Sequence, residues 1–157
     1  MLKSYLIIFL ISMVPLVELR GAIPVAVGFG LPIVPSYAIA VAGNLLPVPF
    51  IFLFGRKFLE WGKDRKVIGG FCSWCLEKGE KGGRKLESKA GRGLYIALLL
   101  FVGIPLPGTG AWTGTLAASI LDLDFRKSCI FVMLGVVLAG VIMLAASLGV
   151  FGAISLI

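Results

Sequence analysis

Two ionisable residues, Glu18 and Arg20, stand together in PLVELRGAIP (15–24), with charge-free runs on either side, 4–17 and 21–55. An acid and a base that deep in apolar sequence are costly to bury, and such groups mark function in membrane proteins. Burial favours the neutral carboxyl, so Glu18 is a candidate proton carrier. Arg20 acts the other way: it holds Glu18 ionised, or binds an anionic substrate. The structural alternative is an ion pair between them, or hydrogen bonds from each to the main chain.

A second stretch, GIPLPGTGAWTG (103–114), carries its chemistry in the backbone. A helix starting near Ala111 offers free N–H groups and a dipole that favour an anion, with Thr109 placed to cap it. Gly108 and Gly110 let a ligand approach the main chain closely. Trp112 can wall a cavity or donate through its indole nitrogen, and Thr113 adds a hydroxyl. Pro15, Pro24, Pro105 and Pro107 mark the two tips, with Pro24 placed where the first turn of a matching helix should begin. Asn44 offers an amide to the same site, or a packing hydrogen bond between helices.

Other chemistries are disfavoured. The chain has three cysteines and no histidine. Cys72 and Cys75 form CSWC and Cys129 opens an apolar run, but a structural zinc needs about four ligands. Reduced thiols are the simpler reading, and no metal or cofactor is expected. Asp122-x-Asp124 reads as a helix cap rather than a cation site. With no histidine nucleophile, no serine elbow and no longer acidic motif, an enzyme is not expected.

The elements that must position these residues are membrane helices. Of 157 residues, 59% are hydrophobic and 15% charged, whereas soluble domains sit nearer half apolar and a quarter charged. A spanning helix needs about 20 residues. Residues 128–150 fit one span, and 36–54 fit another that Pro47 and Pro49 should kink. The segments 4–31 and 94–121 do not fit. Each has two apolar arms around a Pro/Gly-rich tip, and an arm of about eleven residues is roughly 17 Å long, half a bilayer. They read as two re-entrant helical hairpins whose second arms start near Val25 and Ala111. The stretch 5–14 resembles a signal peptide but lacks a small-x-small cleavage site, and it is expected to be retained.

The fold expected is therefore an all-α integral membrane domain over 1–157, an inverted repeat of hairpin plus span. The first repeat is 1–54, the second 93–157, and a basic amphipathic linker at 55–92 joins them. Eleven of the fifteen Lys and Arg residues lie in 56–92, which reads as a cytoplasmic segment beside anionic headgroups, not as a nucleic-acid surface. Arg126 and Lys127 fall on the same side, leaving both termini outside. FGRKFLEWGKDRKVI (54–68) is expected to lie on the membrane surface, and a helix is expected to lead from Leu86 into the second hairpin. Opposed orientations suit a transporter.

PLVELRGAIP and GIPLPGTGAWTG resemble the prokaryotic small multi-drug export proteins, from Pro15 to about Leu148. That family is distantly similar to the DedA/VTT membrane proteins, which share two hairpins with following spans and are implicated in moving lipid phosphates. Glu18 resembles the acidic residue of their first hairpin. Their arginines near the second tip are replaced here by Gly108, Thr109 and Gly110. The resemblance implies export and an inner-membrane location.

The function expected is a small secondary transporter or flippase, proton-coupled through Glu18 and moving a small anion or anionic lipid headgroup. It would work as a homo-oligomer, a dimer first, because so few helices enclose little on their own. A cationic multidrug exporter using Glu18 is one alternative. A non-transporting protein that shapes membrane or assists assembly is another.

Overall fold

Prolines and glycines cut the apolar sequence into helices of unequal length. The computed structural model describes residues 2–15, 17–70, 72–74, 76–77, 93–106 and 108–154, and among them there is helix and no strand. The helices are α1 (Leu2–Met13), α2 (Glu18–Gly28), α3 (Ile33–Leu45), α4 (Val48–Gly62), α5 (Gly93–Gly103), α6 (Ala111–Ile120) and α7 (Phe125–Ile154). Cys75, Pro107 and the helix expected from Leu86 lie outside the described residues.

Four helices are short. α1, α2, α5 and α6 have 12, 11, 11 and 10 residues, so each is roughly 15–18 Å long and falls short of a bilayer core. Each pair packs on itself. Gly21 of α2 faces Ile11 of α1, and Gly114 of α6 faces Leu98 and Val102 of α5.

Two stretches are long and apolar enough to cross a membrane, Ile33–Gly62 and Phe125–Val150. The first exceeds the expected 36–54. Pro47 and Pro49 deny two N–H donors to the preceding turn, yet Leu46 and Pro47 keep right-handed helical angles. The interruption between α3 and α4 is thus local, and the helix runs on through GRKFLEWG. α7 also exceeds its expected 128–150. Asp124 starts it by accepting a 2.9 Å bond from the Lys127 N–H, the cap the sequence suggested.

The second helix of the first pair begins at Glu18, seven residues before the expected Val25. Pro24 consequently sits inside α2, not in its first turn. The reason lies beyond local sequence: α2 buries Leu19, Ala22, Ile23 and Ala26 on one face, and that burial outweighs the single hydrogen bond proline removes.

Small residues let the backbones close up. A side chain at Gly43 of α3 would meet the Phe9 carbonyl of α1 at 2.6 Å, and one at Gly135 of α7 would meet the Leu99 carbonyl of α5 at 2.8 Å. The central core joins Ile8 of α1, Leu19 and Ala22 of α2, Ala40 of α3, Val102 of α5, Ala118 of α6 and Val136 of α7. Tyr37 bridges α3 to α7, its hydroxyl donating to the Val137 carbonyl at 2.8 Å. Outward faces are apolar, with Leu6, Phe50, Phe54, Ile96 and Val141 more than half exposed. That surface suits lipid rather than water.

Candidate functional site

The break in each short pair is bridged by side chains from the other. Between α5 and α6 the main chain leaves helix at Ile104 and resumes at Ala111, exposing carbonyls at one end and N–H groups at the other. The first turn of α2 supplies both complements. Glu18 is 4% exposed; its Oε1 accepts from the Trp112 N–H at 3.1 Å and its Oε2 from the Ala111 N–H at 3.3 Å. Arg20 faces the other way. It donates through Nη1 to the Leu106 carbonyl and through Nη2 to Thr109 Oγ1 at 2.9 Å, with the Ile104 and Val102 carbonyls at 3.4 and 3.5 Å. One residue closes the start of α6 and the other the end of α5. A carboxylate at a helix N-terminus and a guanidinium at a C-terminus each sit favourably in the dipole.

Local backbone is shaped to this contact. Gly110 has φ 145°, and a Cβ there would land on the Glu18 carboxylate. Gly108 also has positive φ, 81°, and turns the tip. Glu18 itself has φ 53°, a left-handed conformation that costs an ordinary residue about 1–2 kcal/mol. The two N–H bonds to its side chain offset that cost. A third link joins the pairs: Trp112 Nε1 donates to the Met13 carbonyl at 3.2 Å.

The sequence brought Glu18, Arg20, Thr109, Gly110 and Trp112 to one place, and they meet there. Their local roles differ from expectation. Thr109 does not cap α6. Its hydroxyl lies 2.9 and 3.0 Å from the Leu106 and Ile104 carbonyls and accepts from Arg20, while the cap comes from Glu18, because a carboxylate satisfies two N–H groups at once. The N–H groups expected to be free are therefore occupied. Thr113 Oγ1 reaches only the Gly110 carbonyl, at 3.5 Å. Asn44 is wholly buried near the end of α3, and neither Nδ2 nor Oδ1 has a partner among the described residues. Pro15 and Pro105 flank the tips. No group of three or more His, Cys, Asp or Glu residues gathers among the described residues.

A groove of about 720 Å³ opens beside the tips. Met13, Pro15, Glu18 and Thr109 line it with Trp112, Thr113 and Leu116 of α6; Pro47, Phe50, Ile51, Phe54, Phe58 and Leu59 form the α4 wall. Among the described residues Glu18 is its only charged lining residue. Contacts between Ser12 and Gly43 put the tips near the start of α4. Leu116 lies against Gly55 and packs on the cluster that holds Leu59 and Ile120, which puts the far end about 10–16 Å further along α4. Sequence reading missed this α4 wall. Its signal was the spacing of Phe50, Phe54, Phe58 and Trp61, one every three or four residues.

Two long apolar helices and four short ones gathered around a polar junction define a helical membrane protein. The chain belongs to a family of such proteins, the one described as "Putative small multi-drug export protein", which matches residues 18–142. The match begins at Glu18, just past the first tip, and covers Glu18, Arg20 and the second tip. No curated protein and no solved structure matched the chain.

Proposed function

We propose that this chain is a small membrane exporter that binds lipophilic cargo in the groove beside the two tips. The observation that carries this reading is the groove's lining: among the described residues, mostly apolar and aromatic walls with one carboxylate, that of Glu18, at the tips. Its volume falls within the few-hundred to thousand Å³ of small-molecule sites.

Sequence put an anionic cargo ahead of a cationic one. The hydrogen bonding supports the reverse order. An anion needs Arg20 and the α6 N–H groups, and these already hold four acceptors and Glu18 respectively. A neutral or cationic amphipath meets aliphatic and aromatic side chains, two threonines and the Glu18 carboxylate along the described lining, which suit it.

In this reading both short pairs re-enter from opposite leaflets, so that hairpin plus span occurs twice in inverted orientation. The helix lengths and the meeting of the tips support it. Residues 55–92 face the cytoplasm of a prokaryotic inner membrane and both termini face outward, in keeping with the distribution of basic residues. A homodimer supplies the missing walls of a pathway. Proton coupling is assigned to Glu18, because protonation removes the charge that holds Ala111 and Trp112 and so loosens the groove floor.

Purified chain in proteoliposomes tests this. A lipophilic cation such as tetraphenylphosphonium is expected to move against the direction of an imposed proton flow, in exchange for protons at Glu18, and Glu18→Gln to abolish the movement. If folded Glu18→Gln protein transports at the parent rate, the role of Glu18 fails. If the parent moves neither lipophilic cations nor anionic lipid, the membrane-shaping reading takes its place. Movement of anionic lipid alone, lost in Arg20→Ala, would restore the anionic cargo.

A further inference from the structure

The α4 wall does not stop at the groove. Phe50, Phe54, Phe58 and Trp61 form one stripe along α4, and they are 61, 57, 58 and 55% exposed. Spacings of four, four and three residues keep them on one side of the helix. Rings of Phe58 and Trp61 lie 6.0 Å apart, and the Arg65 guanidinium sits 4.3 Å over the Trp61 ring. Lys57 stands beside Phe58 in the later half of the stripe, and further cations follow past its end. Lys57, Lys63, Arg65 and Lys66 are all exposed. The neighbouring Arg56 is held by Glu60 and Asp122, whereas these four have no carboxylate partner among the described residues.

We propose that this end of α4 is a binding site for one anionic membrane lipid. Its acyl chain lies along the Phe50–Phe54–Phe58 edge and its phosphate meets Lys57, Lys63, Arg65 and Lys66. Trp61 sits at the boundary, apolar face to the chain and indole N–H to the headgroup, the position tryptophan favours at membrane interfaces. The stripe from Phe50 to Trp61 spans about 16 Å, about one leaflet of hydrocarbon. Charge complementarity selects this occupant: a neutral lipid leaves four cations unanswered, and a second copy of this chain on the same face would bring four more. The Phe50, Phe54 and Phe58 rings are shared with the groove wall, but the four cations lie outside its described lining, so the lipid preference can be lost with transport intact and the two readings fail separately.

Lipid retained by the purified full chain tests the proposal, after incubation with equal parts phosphatidylglycerol and phosphatidylcholine and quantification by mass spectrometry. The expected preference for the anionic lipid is about tenfold, falling to near parity in Lys57→Gln/Lys63→Gln/Arg65→Gln/Lys66→Gln. Phe54→Ala/Phe58→Ala is expected to lower retention of both lipids. Should the fourfold variant not fold, tryptophan quenching in the parent decides the matter: brominated phosphatidylglycerol must quench more than its brominated neutral counterpart in a Trp74→Phe/Trp112→Phe background. Equal quenching there overturns the proposal. So does an undiminished preference in the fourfold variant, or a preference lost only on neutralising Lys78, Lys81, Arg84, Lys85, Lys89 and Arg92. Crosslinks between copies at Lys57→Cys would assign the face to a dimer instead.

Discussion

The Glu18 carboxylate lies 3.1 Å from the main-chain nitrogen of Trp112, 94 residues further along the chain. This is a cap supplied by one helix pair to the other. It makes the junction between the tips a single unit, with Arg20 capping the opposite end of the same gap.

Removing the carboxylate therefore unties both pairs. Charge-assisted hydrogen bonds contribute roughly 1.5–3 kcal/mol each, and Glu18→Ala forfeits two while leaving the buried Ala111 N–H and the half-buried Trp112 N–H open. A loss of about 3 kcal/mol is expected, read as a lower midpoint in thermal or denaturant unfolding in detergent. Glu18→Gln keeps one acceptor oxygen and should lose about half as much.

Gly110 and Glu18 should be coupled. A methyl group at Gly110 collides with the carboxylate and strains a backbone at φ 145°. Gly110→Ala is expected to cost about 2–3 kcal/mol alone. In the Glu18→Ala background the collision is gone and only the backbone strain remains. A double-mutant cycle should show a coupling of about 1 kcal/mol or more, and strict additivity would remove the contact from the account.

Arg20→Lys is not conservative here. The guanidinium fork reaches the Leu106 carbonyl and Thr109 Oγ1 together, with Ile104 and Val102 in range. A lysine ammonium is a compact point charge that cannot match that fan. Unfolding measurements should show a cost of about 2 kcal/mol, and Arg20→Met should cost at least as much.

Asn44 gives the opposite sign. Its amide is buried with both polar atoms unpartnered, and such a group costs about 1–3 kcal/mol to keep. Asn44→Leu has nearly the same shape and should raise the unfolding midpoint. A lowered midpoint would mean that the amide holds an ordered water or another polar partner.

Much of this was legible from residue order. Clustered prolines and glycines at 15–24 and 103–114 interrupt the helix somewhere near each stretch, although Gly21 and Pro24 sit inside α2 and Gly114 inside α6, so the short arms and the exposed helix ends followed from local chemistry. Glu18 and Arg20 stood out because charge in apolar sequence has few stable places to go. The length of α2 was not legible: Pro24 argues locally for a later start, and only packing of Leu19, Ala22 and Ile23 moves it back to Glu18. The groove wall was hidden in the same way, since the rings of α4 read as membrane contacts until α6 lies alongside.

By itself, then, the order of residues determined the membrane class, the helix breaks and the importance of the two charges. These depend on hydropathy, on the missing proline N–H and on the cost of burying an ion, all of which act within a few residues. Tertiary structure alone decided which group caps which end. The N–H groups of Ala111 and Trp112 could donate to any anion, and the anion they hold is Glu18, because packing of α2 in the core carries its carboxylate to within 3.1 Å of the Trp112 nitrogen. A hydrogen bond acts only at contact distance, and contact between residues 94 positions apart is set by the fold.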